Sequence, residues 1–311
     1  MIAFIFPGQG SQKVGMGRDL ADAFPEARAA FDEAEAALPG LTGTIFDGPD
    51  EELVLTQNAQ PAILTVSIAA QRVLAARGLE PAFVAGHSLG EYSANVAAGT
   101  LAFADAVTVV RRRGQYMQEA VPVGAGSMAA ILGLDAELVT QACHEAADGE
   151  VVSPANINGA GQVVIAGATE AVRRAGDRAK ALGARKVIPL AVSAPFHCAL
   201  LKPAEERLEP DLRALTVQTP RIPIIANVDA EPKRDAASAV DALVKQVSAP
   251  VRWEQVVRRL ASEGVTHYVE VGPGTVLSGL VKKIDRSATV LSFSEPQDLA
   301  ALEEGLSKWK S

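Results

Sequence analysis

The chain has 311 residues, 48% of them hydrophobic and 21% charged, and carries a formal net charge of −8. Such a composition belongs to a globular protein long enough to bury a large core, in one domain or two. The acidic excess argues against a nucleic-acid partner, because neutralising phosphates needs a basic surface, and leaves any anionic ligand to a local cluster of arginine or lysine.

Residues 2–6, Ile-Ala-Phe-Ile-Phe, read as a central strand, since such a run has no polar face. With no basic start, residues 1–7 are too short for a signal peptide, and no apolar run reaches the roughly 18 residues of a membrane helix. A cytoplasmic protein without membrane contact is expected. The strand runs into Pro7-Gly8-Gln9-Gly10-Ser11-Gln12. Phosphate-binding loops also follow a first strand, but no Gly-Lys-Ser/Thr ending appears here. The loop reads instead as backbone amides open to a substrate at the sheet's carboxyl edge. Helical patterns follow over 17–37 and 57–77, the second ended by Gly78.

Residues 81–85 form a short buried strand and 91–98 an alanine-rich helix, with Gly86-His87-Ser88-Leu89-Gly90 between them. A serine with glycine at both second neighbours, where a strand turns sharply into a helix, is the pattern of a nucleophile elbow. The plainer alternative is a turn with a serine cap. The strand before and the helix after favour the elbow.

A helix over 103–119 carries Arg111-Arg112-Arg113, the densest basic run. The rhythm then changes: strand 127–132, helix 135–147, strand 151–157, strand 162–167, helix 169–182, strand 185–190. That βαββαβ order predicts a ferredoxin-like small subdomain inserted over 126–194, leaving 1–125 and 195–311 as a large α/β-hydrolase-like subdomain. After Pro195-Phe196-His197 the alternation resumes with helix 199–214, strand 222–226, helices 238–247 and 251–263, strand 266–271, helix 275–284, strand 288–293 and a helix from 297. A mostly parallel sheet follows, with its site outside the carboxyl ends of the strands, where Ser88 and Gln9 both fall.

A serine hydroxyl needs a base, usually histidine. His87 adjoins Ser88 in a tight turn, where neighbouring side chains diverge; His144 lies on a solvated helix; His267 starts a strand, at the wrong end of the sheet. His197 remains, in a loop stiffened by Pro195 and anchored by Phe196. No acid stands out to orient its ring, so a backbone carbonyl or an amide is expected in that place. Cys143 and Cys198 are too few for a disulfide framework and fit no metal spacing, and both read as small buried residues.

Taken together, Gly8-Gln9-Gly10-Ser11-Gln12, Gly86-His87-Ser88-Leu89-Gly90-Glu91, Arg113-Gly114 with Met117-Gln118, Phe196-His197 and Val269-Glu270-Val271-Gly272-Pro273-Gly274 resemble the malonyl-CoA:acyl-carrier-protein transacylases. The likeness spans essentially the whole chain, with the serine and histidine 109 positions apart. It implies a ping-pong malonyl transfer in fatty-acid synthesis, with Ser88 acylated and His197 acting as base and then acid. The backbone N–H groups of Gln9 and Leu89 would hold the oxyanion, and the main-chain carbonyl of Gln246 would steady the histidine. Arg113 would bind the malonyl carboxylate, while Arg111 and Arg112 read as a solvated face. Phe196 beside the base and Asn156 and Asn158 on the small-subdomain strand would contact substrate.

The same resemblance implies no metal and no cofactor, coenzyme A being a substrate, and an acyl carrier protein as partner of a monomer. An acidic carrier would need a local basic rim, drawn from Arg173, Arg185, Lys186 and Lys282. Three other readings stay open: a polyketide-pathway acyltransferase, a serine esterase or thioesterase on the same fold, and a non-catalytic carrier-binding scaffold.

Overall fold

The computed structural model describes residues 1–310. In chain order it begins with β1 (Ile2–Phe6), α1 (Arg18–Ala23), α2 (Pro25–Ala37), α3 (Leu41–Asp47), α4 (Asp50–Leu53), α5 (Thr56–Ala76), β2 (Phe83–Gly86), α6 (Leu89–Ala97) and α7 (Phe103–Glu119). The middle of the chain forms β3 (Gly126–Leu132), α8 (Ala136–Ala146), β4 (Val152–Gly159), β5 (Gln162–Ala168), α9 (Thr169–Ala181) and β6 (Lys186–Pro189). A 3-10 turn at Ala199–Leu201 leads into α10 (Lys202–Arg213), β7 (Ile224–Ile225), β8 (Pro232–Lys233), α11 (Ala236–Gln246), α12 (Trp253–Ser262), β9 (His267–Val271), α13 (Val276–Ile284), β10 (Thr289–Phe293) and α14 (Asp298–Lys310).

The larger sheet has the order β10-β9-β1-β2-β7-β8, parallel except for β8, which turns back along β7 at one edge. As expected for a strand covered on both sides, every residue of β1 is buried, and its alternation divides two cores. Ile2, Phe4 and Phe6 face a core shared with Phe31 of α2, Ile63 of α5 and Val107 of α7. Ala3 and Ile5 face Trp253 and Val257 of α12 and Val281 of α13. Each such side chain, fully withdrawn from water, contributes roughly 1.5–3 kcal/mol.

The smaller sheet is antiparallel, in the order β4-β5-β3-β6, with α8 and α9 packed on it around a core of its own. Its strand β4 also reaches the larger body: Ile157 N–H donates to the Val251 carbonyl and Val251 N–H to the Ala155 carbonyl, each at 2.8 Å. These bonds bring Asn156 and Asn158 to the carboxyl edge of the larger sheet.

Two expectations change, and three short elements are added. The helical pattern over 17–37 is two helices, broken at the extended Phe24 (φ −132°, ψ 122°), because the residue before proline is barred from the helical region and Pro25 opens α2. The strand expected over 222–226 shrinks to β7, and α3, α4 and β8 are too short to imprint a period on the sequence. Among the described residues no helix is long and apolar enough to cross a membrane.

Candidate active site

Strand β2 ends at Gly86 and α6 starts at Leu89, so the chain reverses within two residues. A Cβ on Gly86 would lie 2.6 Å from the Glu91 nitrogen, and one on Gly90 would lie 2.7 Å from the Phe6 carbonyl carbon. Both neighbours are backbone and cannot yield, so only glycine fits. Between them Ser88 takes φ 52° and ψ −106°, a conformation that costs an L-residue on the order of 1–3 kcal/mol. Two side chains hold it there. Asn227 Oδ1 accepts from Ser88 N–H at 2.8 Å while Asn227 Nδ2 donates to the Gly86 carbonyl at 2.7 Å, and Gln246 Nε2 donates to the Ser88 carbonyl at 2.9 Å.

His197 also has a positive φ, 61°, and is 3% exposed. Its Nδ1 is 2.9 Å from the Gln246 main-chain carbonyl, and its Nε2 is 2.7 Å from Ser88 Oγ. A carbonyl only accepts, so Nδ1 carries the proton and Nε2 turns its lone pair to the serine hydroxyl. Burial, reinforced by the charge of Arg113, lowers the imidazole to about 3. The ring is therefore neutral, and able to take a proton, throughout the physiological range.

Of the three consecutive arginines on α7, Arg111 bonds to Asn58 and the Gln57 carbonyl, and Arg112 pairs with Asp211 at the surface. Arg113 alone turns inward and is 1% exposed. It donates to Gln60 Oε1 at 2.7 Å, Gln246 Oε1 at 2.8 Å and Ser88 Oγ at 3.2 Å, and its Nε has no partner. Among the described residues no carboxylate pairs with it. A buried guanidinium met only by neutral acceptors is a charge awaiting a counter-ion.

These groups meet in a cavity of about 550 Å³ lined by both sheets' surroundings, including Gln9, His87, Met128, Asn156, Asn158 and Phe196. Gln9 is fixed by its side chain to Thr56 at 3.2 Å. Leu89 is the first residue of α6, where a helix leaves its N–H groups without internal acceptors. Asn158 Oδ1 is 3.0 Å from His87 Nε2, which keeps His87 away from Ser88. Cys198 bonds to the Pro195 carbonyl, and burial raises its thiol to about 11, so it offers no thiolate. None of the residues expected to form a basic rim lines this cavity. Arg173 is engaged by Glu170 and Asp177, Lys282 lines a separate cavity beside β10 and α14, and neither Arg185 nor Lys186 borders the site.

Three site residues escape the sequence reading, Gln60, Asn227 and Tyr92, whose ring centroid is 5.3 Å from the Arg113 guanidinium, and Glu91 was read only as the end of a motif. Each left a trace. Gln60 interrupts the apolar face of α5, Glu91 and Tyr92 follow the elbow directly, and Asn227 stands at the carboxyl end of a strand on the sheet edge where sites lie.

An acyl transferase domain model matches residues 3–297. The malonyl CoA-acyl carrier protein transacylase of Escherichia coli (strain K12) is 51% identical over 304 residues, covering 97% of this chain and 98% of that one. Its Bacillus subtilis (strain 168) counterpart is 49% identical over 300 residues, covering 96% and 95%. Among solved structures, an acyl carrier protein S-malonyltransferase from Vibrio cholerae superimposes with a TM-score of 0.95 at 47% identity, covering 97% of this chain and 99% of that one. A malonyl-transacylase in complex with a type II polyketide acyl carrier protein does so with a TM-score of 0.95 at 46% identity, covering 98% and 99%. With a strained serine, a neutral histidine and an unpaired buried arginine at one sheet edge, and with likeness along the whole chain, the protein belongs to the acyl transferase domain family.

Proposed function

We propose that the protein moves a malonyl group from coenzyme A to the pantetheine thiol of an acyl carrier protein, through an ester on Ser88, in fatty-acid synthesis. One observation carries this reading: Arg113 is buried without a counter-ion 3.2 Å from Ser88 Oγ. In a malonyl thioester the free carboxylate stands one methylene from the acyl carbon, so it reaches the guanidinium when that carbon is at the serine.

In the first half-reaction Ser88 Oγ attacks the thioester carbon as His197 Nε2 takes its proton. In this reading the backbone N–H groups of Gln9 and Leu89 receive the developing oxyanion. The carbon–sulfur bond breaks, and the proton on His197 passes to the leaving coenzyme A sulfur. In the second half-reaction the carrier thiol gives its proton to His197 and its sulfur attacks the ester. The Ser88 oxygen leaves and recovers the proton.

The substrate also tunes the base. Arg113 lowers the basicity of His197 in the empty site. A malonyl carboxylate paired with Arg113 offsets that charge and strengthens the base when the correct acyl group is present. An acetyl group, lacking the carboxylate, leaves both the guanidinium and the imidazole unassisted.

Phe196, Asn156 and Asn158 line the way to Ser88 and fit contacts with the acyl chain and the pantetheine arm. That path lies where the segment 126–194, read as the small subdomain, faces the large one formed by 1–125 and 195–311. The site of action under this reading is the cytoplasm. The test is mass spectrometry of the intact protein after brief exposure to mixed acyl-CoAs. A malonyl increment on the Ser88 peptide, passed on when carrier is added, is expected; rapid hydrolysis without carrier would instead identify an esterase.

A further inference from the structure

Glu91 follows the elbow in the first turn of α6 and is 1% exposed. Its Oε2 accepts from Gln246 Nε2 at 2.8 Å and from Asn227 N–H at 3.0 Å. Among the described residues no Lys, Arg or His forms an ion pair with it. Burial raises the carboxyl to about 7, and both hydrogen bonds made by Oε2 are ones it accepts.

The Gln246 side-chain amide lies between Glu91 and Arg113 and has two unlike ends. Nε2 donates to Glu91 and to the Ser88 carbonyl, and Oε1 accepts from Arg113 Nη2. Turned over, the amide would set its oxygen against Glu91 Oε2 and its hydrogens against a guanidinium that can only donate. Glu91, together with the Ser88 carbonyl and Arg113, therefore disfavours the reversed state. We infer that Glu91 is a positioning residue: by accepting from Gln246 it fixes the polarity of that amide, and through it the orientation in which Arg113 receives the substrate carboxylate. This role rests on the malonyl-transfer reading above and adds to it a residue that touches no substrate.

Acting through Gln246, Glu91 governs recognition of the carboxylate more than the serine, whose N–H stays with the Asn227 side chain. The Gln246 main-chain carbonyl holds His197 whatever its side chain does. The experiment measures kcat and KM for Ser88 acylation by malonyl-CoA and by acetyl-CoA in the full-length wild type, Glu91→Leu, Glu91→Gln, Gln246→Met and the Glu91→Leu/Gln246→Met double variant. Glu91→Leu should raise the KM for malonyl-CoA about tenfold, the scale of one hydrogen bond to a charged group, and should lower the malonyl-to-acetyl preference by a similar factor. Glu91→Gln, which still accepts both bonds, should restore the malonyl preference. The double variant should be no worse than Gln246→Met alone, since both changes break one relay.

Equal losses for the two substrates, failure of Glu91→Gln to rescue, or additive effects in the double variant would overturn the proposal. If Glu91→Leu does not fold, Gln246→Met decides: an unchanged malonyl-to-acetyl ratio overturns the relay. A wild type that forms malonyl-serine while the ratio stays fixed overturns this role alone. A wild type that forms none overturns the functional reading and this role with it.

Discussion

The guanidinium of Arg113 donates to the hydroxyl of Ser88 across 3.2 Å, so the cation and the serine share one cavity although Arg113 lies on α7 and Ser88 in the turn before α6. The cation sits where a carboxylate one methylene from the reacting carbon would lie. Its burial gives that pairing weight, because a water-poor site does not screen it.

Replacing Arg113 by alanine should therefore slow malonyl transfer to Ser88 by about a hundredfold or more, the scale of losing one partner of a buried charge pair. Acetyl transfer should improve, since the uncompensated charge beside His197 goes with it. Arg113→Lys should recover only part of the loss, a lysine lacking the paired donors. Rapid-quench acylation followed by mass spectrometry measures all of these, and an unchanged malonyl preference in Arg113→Ala would remove the arginine from the site.

The acidity of His197 sets the pH dependence. Its imidazole titrates near 3 in the empty site, against an ordinary value of 6.5. The acylation rate constant at low substrate should thus show no fall as pH drops through 6.5. The unfolded chain binds a proton at this residue between 6.5 and 3 and the folded chain does not. Its contribution to stability is therefore complete above 6.5 and lost as pH falls toward 3. In His197→Gln the acid-side slope of a pH-dependent denaturation series should flatten, and acylation should fall by about 10²–10⁴.

The elbow glycines make a stability prediction. Gly86→Ala and Gly90→Ala each force a methyl group into backbone, so each should cost about 3 kcal/mol or more and displace Ser88. Thermal denaturation reads the first effect. Labelling of Ser88 by a sulfonyl fluoride reads the second, and a variant with wild-type melting and labelling would contradict the packing.

Asn227 holds the serine's N–H and the Gly86 carbonyl at once. Asn227→Ala leaves both buried groups unpaired, a loss of about 1–3 kcal/mol for each. Acylation should drop about tenfold as Ser88 relaxes from its positive φ. A melting curve shifted without any change in acylation would assign Asn227 to stability alone.

Much of the site was legible because its signals are local. Glycine at 86 is dictated within five residues, the one at 90 by the backbone of Phe6 on β1, and elimination left one histidine of four. The βαββαβ order of the smaller sheet also declares itself in alternating runs, each long enough to hold a period. Arg113 was separable from Arg111 and Arg112 only by family likeness, because three successive helical positions point three ways and the sequence does not say which way the helix faces.

Asn227, which escaped notice, and the side chain of Gln246, of which only the main chain was assigned a role, share a different property. Asn227 reaches Ser88 across 139 positions, and Gln246 reaches Arg113 across 133 and the Ser88 carbonyl across 158. No periodicity records such pairs, because they exist only once the helices and strands that carry them have packed.

From the sequence alone came the main strand and helix order, the elbow that carries Ser88 and the choice of His197 among four histidines, since those depend on neighbours along the chain. Tertiary packing decided that Arg113 is buried without a counter-ion, that Gln246 serves His197 with its main chain and Arg113 with its side chain, and that Glu91 stands behind both. Burial and long-range hydrogen bonding are properties of the assembled core, and they alone turn ordinary polar residues into a site.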